Sequence, residues 1–151
     1  MTITFTPVLL EHAPLCAALD GECFSAEVFS EDMITSLLKT PYVFGFLVLI
    51  GERPIGYTLA SVAGKQGDLL TIGIIPEMQG KGYGRDSMIQ LMRIATSKGI
   101  KELFLEVRPS NTSAIALYET FAASKEGLRK NYYSNELTGE TEDALVMRIP
   151  V

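Results

Sequence analysis

Short apolar or alternating segments along the chain predict the strands of a sheet. The opening ITFTP alternates between apolar and polar residues, and two apolar runs at residues 43–50 and 55–62 are joined by GERP, a hairpin signal. Four later runs are also expected to be strands, at residues 69–75, 100–107, 127–133 and 144–149. The polar loop SNELTGETED joins the last two.

Apolar residues at helical spacing predict two helices before the first hairpin. The first covers residues 9–24. The second begins near Ser30, a favoured N-cap residue, and Met33, Leu37 and Leu38 are expected to face the core.

Two further helices are predicted in the second half of the chain. Gly99 is placed to end the first of them, whose inward residues recur at i, i+3, i+4 and i+7: Met88, Leu91, Met92 and Ala95. The other begins at Asn111 and presents one face made of Ala114, Leu117, Tyr118 and Phe121. Because a helix joins the strands at 69–75 and 100–107, residues 69–107 are predicted to form a parallel βαβ unit. The whole order predicts an α+β (α/β) domain, a mixed sheet with helices on its faces.

Length and composition indicate one globular domain spanning residues 1–151. The chain is 47% apolar and 21% charged, which is ordinary for such a domain. Its longest unbroken apolar stretch, residues 42–50, is far too short to cross a bilayer. The opening MTITFTP has neither a basic nor a long apolar export region, so we expect a cytoplasmic protein without a membrane partner.

Cysteine and histidine content excludes several kinds of site. Cys16 and Cys23 lie seven residues apart in a predicted helix, about 10 Å, which is too far for a disulfide. We expect both to be small core residues of a reduced protein. His12 is the only histidine, so neither a histidine-based triad nor a multi-histidine metal site is possible, and no metal is expected.

Acidic residues are concentrated in the first quarter of the chain. The net charge is −5, but residues 1–38 carry −6 and the remainder +1, which argues against a general nucleic-acid surface. This acidic quarter is either a solvated helix face or a wall that attracts a cationic partner. Its six carboxylates are Glu11, Asp20, Glu22, Glu27, Glu31 and Asp32.

The segment PEMQGKGYGR, at residues 76–85, places three glycines at alternate positions between a strand and a helix. A Walker loop would need Ser or Thr after Lys81, where Gly82 stands. A dinucleotide fingerprint would need its third glycine at Arg85 or Ser87. A simple turn would explain one glycine but not three in this register.

What remains is Gln79 followed at spacing Q-x-x-G-x-G by Gly82 and Gly84, at a helix amino terminus. Glycine lets an anion approach the backbone and permits the positive φ angles that point several N–H groups at one place. The helix dipole adds to this, and Lys81 and Arg85 supply positive charge nearby. The segment is therefore predicted to bind a pyrophosphate.

This motif resembles the Q/R-x-x-G-x-G/A motif with which the GNAT superfamily of acetyl-CoA-dependent N-acetyltransferases holds the coenzyme. Three further segments are similar to a narrower RimI group, which acetylates the amino terminus of a ribosomal protein: LEVRPSNTSAIALYE at 105–119, RKNYY at 129–133 and EDALVMRI at 142–149. The likeness covers residues 69–149 strongly and the first 68 by element order. It implies a GNAT-type sheet that is mostly antiparallel, with one parallel crossover.

The resemblance also implies roles for individual residues. Glu106 corresponds to the general base and Tyr118 to the general acid, while Tyr132 and Tyr133 bind the acceptor. Acetyl-CoA, the expected cosubstrate, is assigned to Ile72, Gly73, Ile74, Gln79, Gly80, Lys81, Gly82, Tyr83, Gly84, Arg85, Asn111 and Tyr118. Two alternatives stay open at this point: Glu106 could lie on a solvated edge, and Tyr118 could be a core residue. Independently, Gly73 inside a strand indicates a close backbone approach.

The activity implied by the resemblance is acetylation of a protein amino terminus, with a basic ribosomal protein as partner and no direct nucleic-acid contact. The chemistry agrees, because an α-amine with a pKa of about 7.7–8.0 is partly neutral near pH 7, whereas a lysine amine at about 10.4 is not. Two alternatives remain: acetylation of a small amine such as a polyamine or antibiotic, and a coenzyme-binding module without turnover. The oligomeric state is left open.

Two positions depart from the RimI pattern. Ala122 and Ala123 replace the usual Gly-Phe after the last helix. Because alanine in the left-handed conformation costs on the order of 1 kcal/mol, we expect that helix to end nearer Gly127. The acceptor-side loop CFSAEVFS also lacks the usual Pro-Trp.

Overall fold

In the computed structural model, the seven strands formed by the described residues belong to one sheet, in the order β1-β2-β3-β4-β5-β7-β6. The structure describes residues 2–24, 28–134 and 137–151. The strands are β1 (Ile3–Pro7), β2 (Val43–Ile50), β3 (Arg53–Ala63), β4 (Gln66–Ile74), β5 (Glu102–Val107), β6 (Ser124–Ser134) and β7 (Thr141–Pro150). The pair β4 and β5 is parallel, and the other neighbouring pairs are antiparallel. The predicted fold class is confirmed.

Helices cover both faces of this sheet. They are α1 (Ala13–Cys23), α2 (Glu31–Leu38), α3 (Tyr83–Ser97) and α4 (Thr112–Glu119). A side chain of α1 reaches Tyr57, whose strand partner is Leu47. Residues of α3 pack beside Phe44 and Phe46, which alternate with Leu47 along β2 and therefore point the other way. The predicted element order is confirmed.

The start of α2 follows from its capping residue. The Ser30 hydroxyl accepts a hydrogen bond from the Met33 N–H at 3.2 Å, as expected of an N-cap. The prediction that Met33 faces the core is wrong, because its residue is 50% exposed. Ile34 is buried instead, and Leu37 and Leu38 follow it at i+3 and i+4. Around the helix Met33 lies about 100° from Ile34 and about 40° beyond Leu37, so it stands at the margin of that stripe.

The two cysteines are free thiols, as predicted. Cys16 is buried in the core and Cys23 is half-buried against it. Burial, with a smaller effect of the Asp20 carboxylate, raises the pKa of each thiol to about 12. Both are therefore protonated and unreactive near neutral pH.

The end of α4 differs from the prediction. The helix stops near Glu119 rather than Gly127, and Ala122 adopts a left-handed φ of 64°. The Ala123 N–H donates to the Tyr118 carbonyl at 3.2 Å and the Ala122 N–H to the Glu119 carbonyl at 3.0 Å. These two bonds form a Schellman motif, whose left-handed position glycine normally fills. The bonds hold alanine in that conformation despite its cost.

Replacing this alanine by glycine should stabilise the fold. We expect Ala122→Gly to raise the free energy of unfolding by about 1 kcal/mol, because glycine adopts the left-handed conformation without the Cβ clash. The exposed Ala116 inside α4 provides the control: Ala116→Gly should lower the same quantity by about 1 kcal/mol. Urea unfolding of the three proteins measures both changes. Equal destabilisation by both glycines would show that Ala122 is unstrained.

Candidate functional site

A cleft opens where β4 and β5 separate. These two strands pair only from Gln66↔Glu102 to Asp68↔Phe104. Beyond those pairs the strands diverge around a cleft of about 750 Å³, which residues 69–72 and 104–108 line. The backbone edge of β4 that faces the cleft is therefore left out of the sheet's hydrogen bonding.

A β-bulge lies at the mouth of this divergence. Leu59 pairs with Thr71 and Ala60 pairs with Leu69, so Leu70 is an extra residue on β4. A bulge bends its strand and increases its twist. The bend turns β4 away from β5 directly after their last shared pair.

The glycine segment lies beyond the end of β4 and forms the start of α3. Gly80 and Gly82 have φ of 76° and 88°, and Gly82 is the N-cap residue of α3. Both positions therefore need glycine. Gly84 lies in the first turn of the helix, where a Cβ would lie 3.6 Å from the Leu117 side chain. The first N–H groups of α3 follow this turn directly and, as at any helix amino terminus, have no partner within the helix.

Charged side chains flank the glycine turn. Lys81 and Arg85 are exposed, and the Arg85 guanidinium lies 5.9 Å from the centre of the Phe121 ring. Tyr83 opens α3 between the two glycines at 82 and 84. The turn thus combines backbone donors with positive charge, as an anion site requires.

Two predicted coenzyme residues make contacts within the chain. The Gln79 side-chain amide donates to the Ile74 carbonyl at 2.8 Å and so fastens the glycine turn to the end of β4. A Cβ on Gly73 would lie 3.0 Å from the Cys23 sulfur, so this glycine makes room for α1. At Gly73 the structure thus shows the close approach of α1, while the predicted approach of the coenzyme stays a prediction, and Gln79 positions the turn.

Glu106 faces the cleft from β5. Its neighbours Leu105 and Val107 are buried on the other face of the strand, and Glu106 shares its face with Phe104. The carboxylate is 23% exposed and forms an ion pair with Arg129, whose Nε lies 3.0 Å from Oε1. Because β5 lies between β4 and β7, this is a cleft position and not an outer edge.

Tyr118 lines the same cleft from α4 and is only 7% exposed. Burial, followed by the neighbouring Tyr133, raises the pKa of Tyr118 above its usual value. The phenol is therefore protonated at neutral pH and is able to donate a hydrogen bond. Asn111, also on the cleft wall, caps α4 by accepting from the Ala114 N–H at 3.2 Å.

An irregular part of β6 brings the paired tyrosines to the cleft. Arg129 pairs with Ala144 and Tyr133 pairs with Glu142, so β6 contains two extra residues between these pairs. The rings of Tyr132 and Tyr133 lie 5.0 Å apart. The Arg108 guanidinium carbon lies 4.2 Å from the centre of the Tyr133 ring.

Sequence reasoning missed several cleft residues. Asp20 was counted in the acidic quarter, yet it is fully buried and lines the cleft. Its position four residues after Cys16 is the signal that could have found it, because it lies on the buried stripe of α1. Arg129 and the phenylalanines Phe24 and Phe29 also line the cleft. Glu27, in the same acidic quarter, lies outside the described residues, as do residues 25–26 of the acceptor-side loop.

The described residues contain neither a metal-binding cluster nor a membrane-spanning helix. They contain no group of three or more histidine, cysteine, aspartate or glutamate side chains that could hold a metal ion. Within the described ranges, no helix combines the length and hydropathy needed to cross a membrane.

The cleft therefore combines a carboxylate, a protonated phenol and an unpaired strand edge, and β4 leads from it to the glycine turn at the start of α3. Comparison with known proteins identifies the family to which the chain belongs. Residues 13–122 match the acetyltransferase (GNAT) family, and the chain belongs to that family. Acetyltransferases of this family use acetyl-CoA.

Individual relatives are similar over different lengths. The ribosomal protein bS18-alanine N-acetyltransferase of Escherichia coli strain K12 is 35% identical over 95 residues, which is 63% of this chain and 63% of that protein. A putative enzyme of the same name from Bacillus subtilis strain 168 is 28% identical over 133 residues, 88% of this chain and 85% of its own. Sequence similarity to the Escherichia coli relative thus spans less than two thirds of its length.

Solved structures extend the comparison over the whole fold. The crystal structure of the ribosomal-protein-S18-alanine N-acetyltransferase from Escherichia coli has a TM-score of 0.91 at 27% identity and covers 99% of this chain and 94% of its own. A putative phosphinothricin N-acetyltransferase has a TM-score of 0.87 at 16% identity and covers 99% of both chains, which shows the shared fold alone.

Proposed function

We propose that this chain is an acetyl-CoA-dependent N-acetyltransferase that acetylates the amino-terminal α-amine of a protein, in particular a basic ribosomal protein. The observation that carries the proposal is the placement of Glu106 and Tyr118 on one cleft between the separated strands β4 and β5. Relatives named as bS18-alanine N-acetyltransferases support the choice of acceptor.

The glycine turn fits the pyrophosphate of the coenzyme, and β4 fits its amide-containing arm. The positive φ of Gly80 and Gly82 leaves the first N–H groups of α3 open to a pyrophosphate, with Lys81 and Arg85 beside it. The cleft-facing edge of β4 at residues 72–74 offers backbone hydrogen bonds to an amide-containing arm. Acetyl-CoA, when bound, supplies the acetyl group as a reactive thioester.

Two side chains of this protein would perform the proton chemistry. The Glu106 carboxylate accepts a proton from the acceptor amine, directly or through one water, which leaves the amine neutral for attack. The Tyr118 hydroxyl donates a hydrogen bond to the sulfur as negative charge develops there. Its raised pKa makes full proton transfer to the sulfur unfavourable, so stabilisation of charge is its main contribution.

Arg129 holds the base in place when no acceptor is bound. The Arg129 side chain in this ion pair is 63% exposed, and exposed ion pairs contribute little free energy. The ammonium group of the acceptor can therefore replace the Arg129 guanidinium beside Glu106 at little cost. Tyr132 and Tyr133, beside this pair, provide hydroxyl groups for the acceptor backbone.

An acetyl-transfer assay tests the proposal. Peptides with a small first residue and basic residues soon after are expected to be acetylated at the α-amine, which mass spectrometry locates. Polyamines and aminoglycosides serve as competing acceptors. Transfer to these amines alone would make the chain a small-molecule acetyltransferase, and transfer to neither, with acetyl-CoA still bound, would make it a non-catalytic binding module.

Charge reversal near the acceptor should weaken binding of basic peptides. Glu22 and Glu31 are exposed at the end of α1 and the start of α2. The double variant Glu22→Lys/Glu31→Lys is expected to raise the peptide KM roughly two- to thirtyfold at low salt, because each of the two exposed pairs contributes about 0.2–1 kcal/mol. Salt should reduce the difference, since screening acts over about 8–10 Å.

Two comparisons control for net charge. A neutral peptide should be acetylated equally by wild type and variant. Glu11→Lys/Glu52→Lys changes the net charge by the same amount, but at the opposite end of α1 and in the β2–β3 turn. It should leave the KM of the basic peptide and the KM of the neutral peptide unchanged. If the two double variants behaved alike, the acidic quarter would be only a solvated face.

A further inference from the structure

Asp20 is a fully buried carboxylate with two hydrogen-bond donors. It lies on the buried stripe of α1 with Ala13 and Cys16. Its Oδ1 accepts from the Tyr57 hydroxyl at 2.5 Å, and its Oδ2 accepts from the Phe29 N–H at 2.7 Å. One side chain therefore joins α1, the centre of the sheet and the segment that leads into α2.

Two described residues near the ends of that segment line the cleft. Phe24 and Phe29 line the same cleft as Glu106, and so does Asp20. Phe29 directly precedes Ser30, the N-cap residue of α2. The hydrogen bond to the Phe29 N–H thus fixes both a cleft-lining residue and the start of the following helix.

The surroundings of Asp20 do not favour its charge. Burial raises the pKa of Asp20, and this effect exceeds the lowering by the hydrogen bonds from Tyr57 and Phe29. Burying a carboxylate costs more folding free energy than burying an apolar side chain of similar size. The presence of Asp20 here therefore indicates a role for its two hydrogen bonds.

We propose that Asp20 is a positioning residue for the acceptor, holding Phe29 and the start of α2 against the cleft through its bonds to Tyr57 and the Phe29 N–H. This inference rests on the proposed acetyltransferase function. It assigns Asp20 to acceptor binding, separately from the coenzyme, because its two hydrogen-bond partners among the described residues lie on β3 and just before α2, and neither lies on the glycine turn.

Steady-state kinetics with a peptide acceptor tests the inference. The two donors meet different oxygens of Asp20, and asparagine replaces one of these oxygens by an NH2 group, so Asp20→Asn loses the acceptor for either the Tyr57 hydroxyl or the Phe29 N–H. We expect the peptide KM to rise about tenfold, the equivalent of about 1.4 kcal/mol. The acetyl-CoA Kd and kcat at saturating peptide should change less than twofold. Tyr57→Phe, which leaves the Phe29 bond in place, should raise KM less.

The neighbouring Thr58 provides a matched control. It is equally buried on β3, and within the described part of the chain its Oγ1 has no hydrogen-bond partner. Thr58→Val should leave the peptide KM unchanged, which separates the Asp20 contact from disturbance of a buried polar group in general.

The outcomes separate this inference from the proposed function. Wild-type protein that acetylates no peptide would overturn the function and the inference together. Active wild type with an unchanged peptide KM in Asp20→Asn would overturn the inference alone, as would an equal rise in the acetyl-CoA Kd. If Asp20→Asn failed to fold by circular dichroism, Tyr57→Phe would decide: a peptide KM equal to that of wild type would reject the inference.

Discussion

Glu106→Gln is expected to lower kcat by a factor of about 10²–10⁴, the usual contribution of a general base. Glutamine keeps the size of the side chain and its position beside Arg129 but cannot accept the proton of the acceptor amine. The acetyl-CoA Kd should stay unchanged, because the assigned coenzyme residues lie on β4, the glycine turn and α4. Single-turnover kinetics with a saturating peptide measures the chemical step directly.

A second glutamate on the same strand provides the control. Glu102 lies on the same face of β5 as Glu106 but at the end where β4 and β5 still pair, with Arg148 as its partner. Glu102→Gln should leave kcat within about twofold of wild type. A similar loss in both variants would trace the effect to the strand, and full activity of Glu106→Gln would remove Glu106 from the mechanism.

Gly82→Val/Gly84→Val is expected to weaken acetyl-CoA binding about a hundredfold or more. Valine adopts the φ of 88° at Gly82 only at a cost of about 1–3 kcal/mol, so the turn would change and redirect its N–H groups. Each lost hydrogen bond to a phosphate oxygen is worth about 1.5–3 kcal/mol, and 1.4 kcal/mol is tenfold in Kd. Isothermal titration calorimetry measures the change.

The β3–β4 turn offers a control with the same backbone strain. Gly64 has a φ of 61°, and a Cβ there would meet no other atom within 4 Å. Gly64→Val should reduce stability without changing the acetyl-CoA Kd. Retained affinity in a folded Gly82→Val/Gly84→Val protein would show that the coenzyme phosphates bind elsewhere.

Local patterns were enough to predict the order of the elements. Capping by Ser30, termination at Gly99 and the glycine segment are all properties of a few consecutive residues, and the structure has each where the sequence placed it. The end of α4 was predicted incorrectly because the cost of a left-handed alanine was weighed without the two backbone bonds that offset it at Ala122.

The contacts within the cleft could not be predicted in the same way. Asp20 meets Tyr57 across 37 positions of sequence, and Glu106 meets Arg129 from another strand. Such pairs depend on how a helix packs on the sheet and on the order and register of the strands. The periodicity of apolar residues along the chain specifies neither. Assignment of Glu106 and Tyr118 came from resemblance to a family, and the structure adds that both face one cleft.

The separation of β4 from β5 has a consequence for the lifetime of the protein. Along residues 69–74 the described chain leaves one edge of an inner strand without a neighbouring strand. An extended ligand with amide groups would occupy that edge as an additional strand does, by β-augmentation. Acetyl-CoA would then complete the sheet, and because a ligand bound only by the folded state stabilises it by mass action, resistance to proteolysis should rise with coenzyme supply.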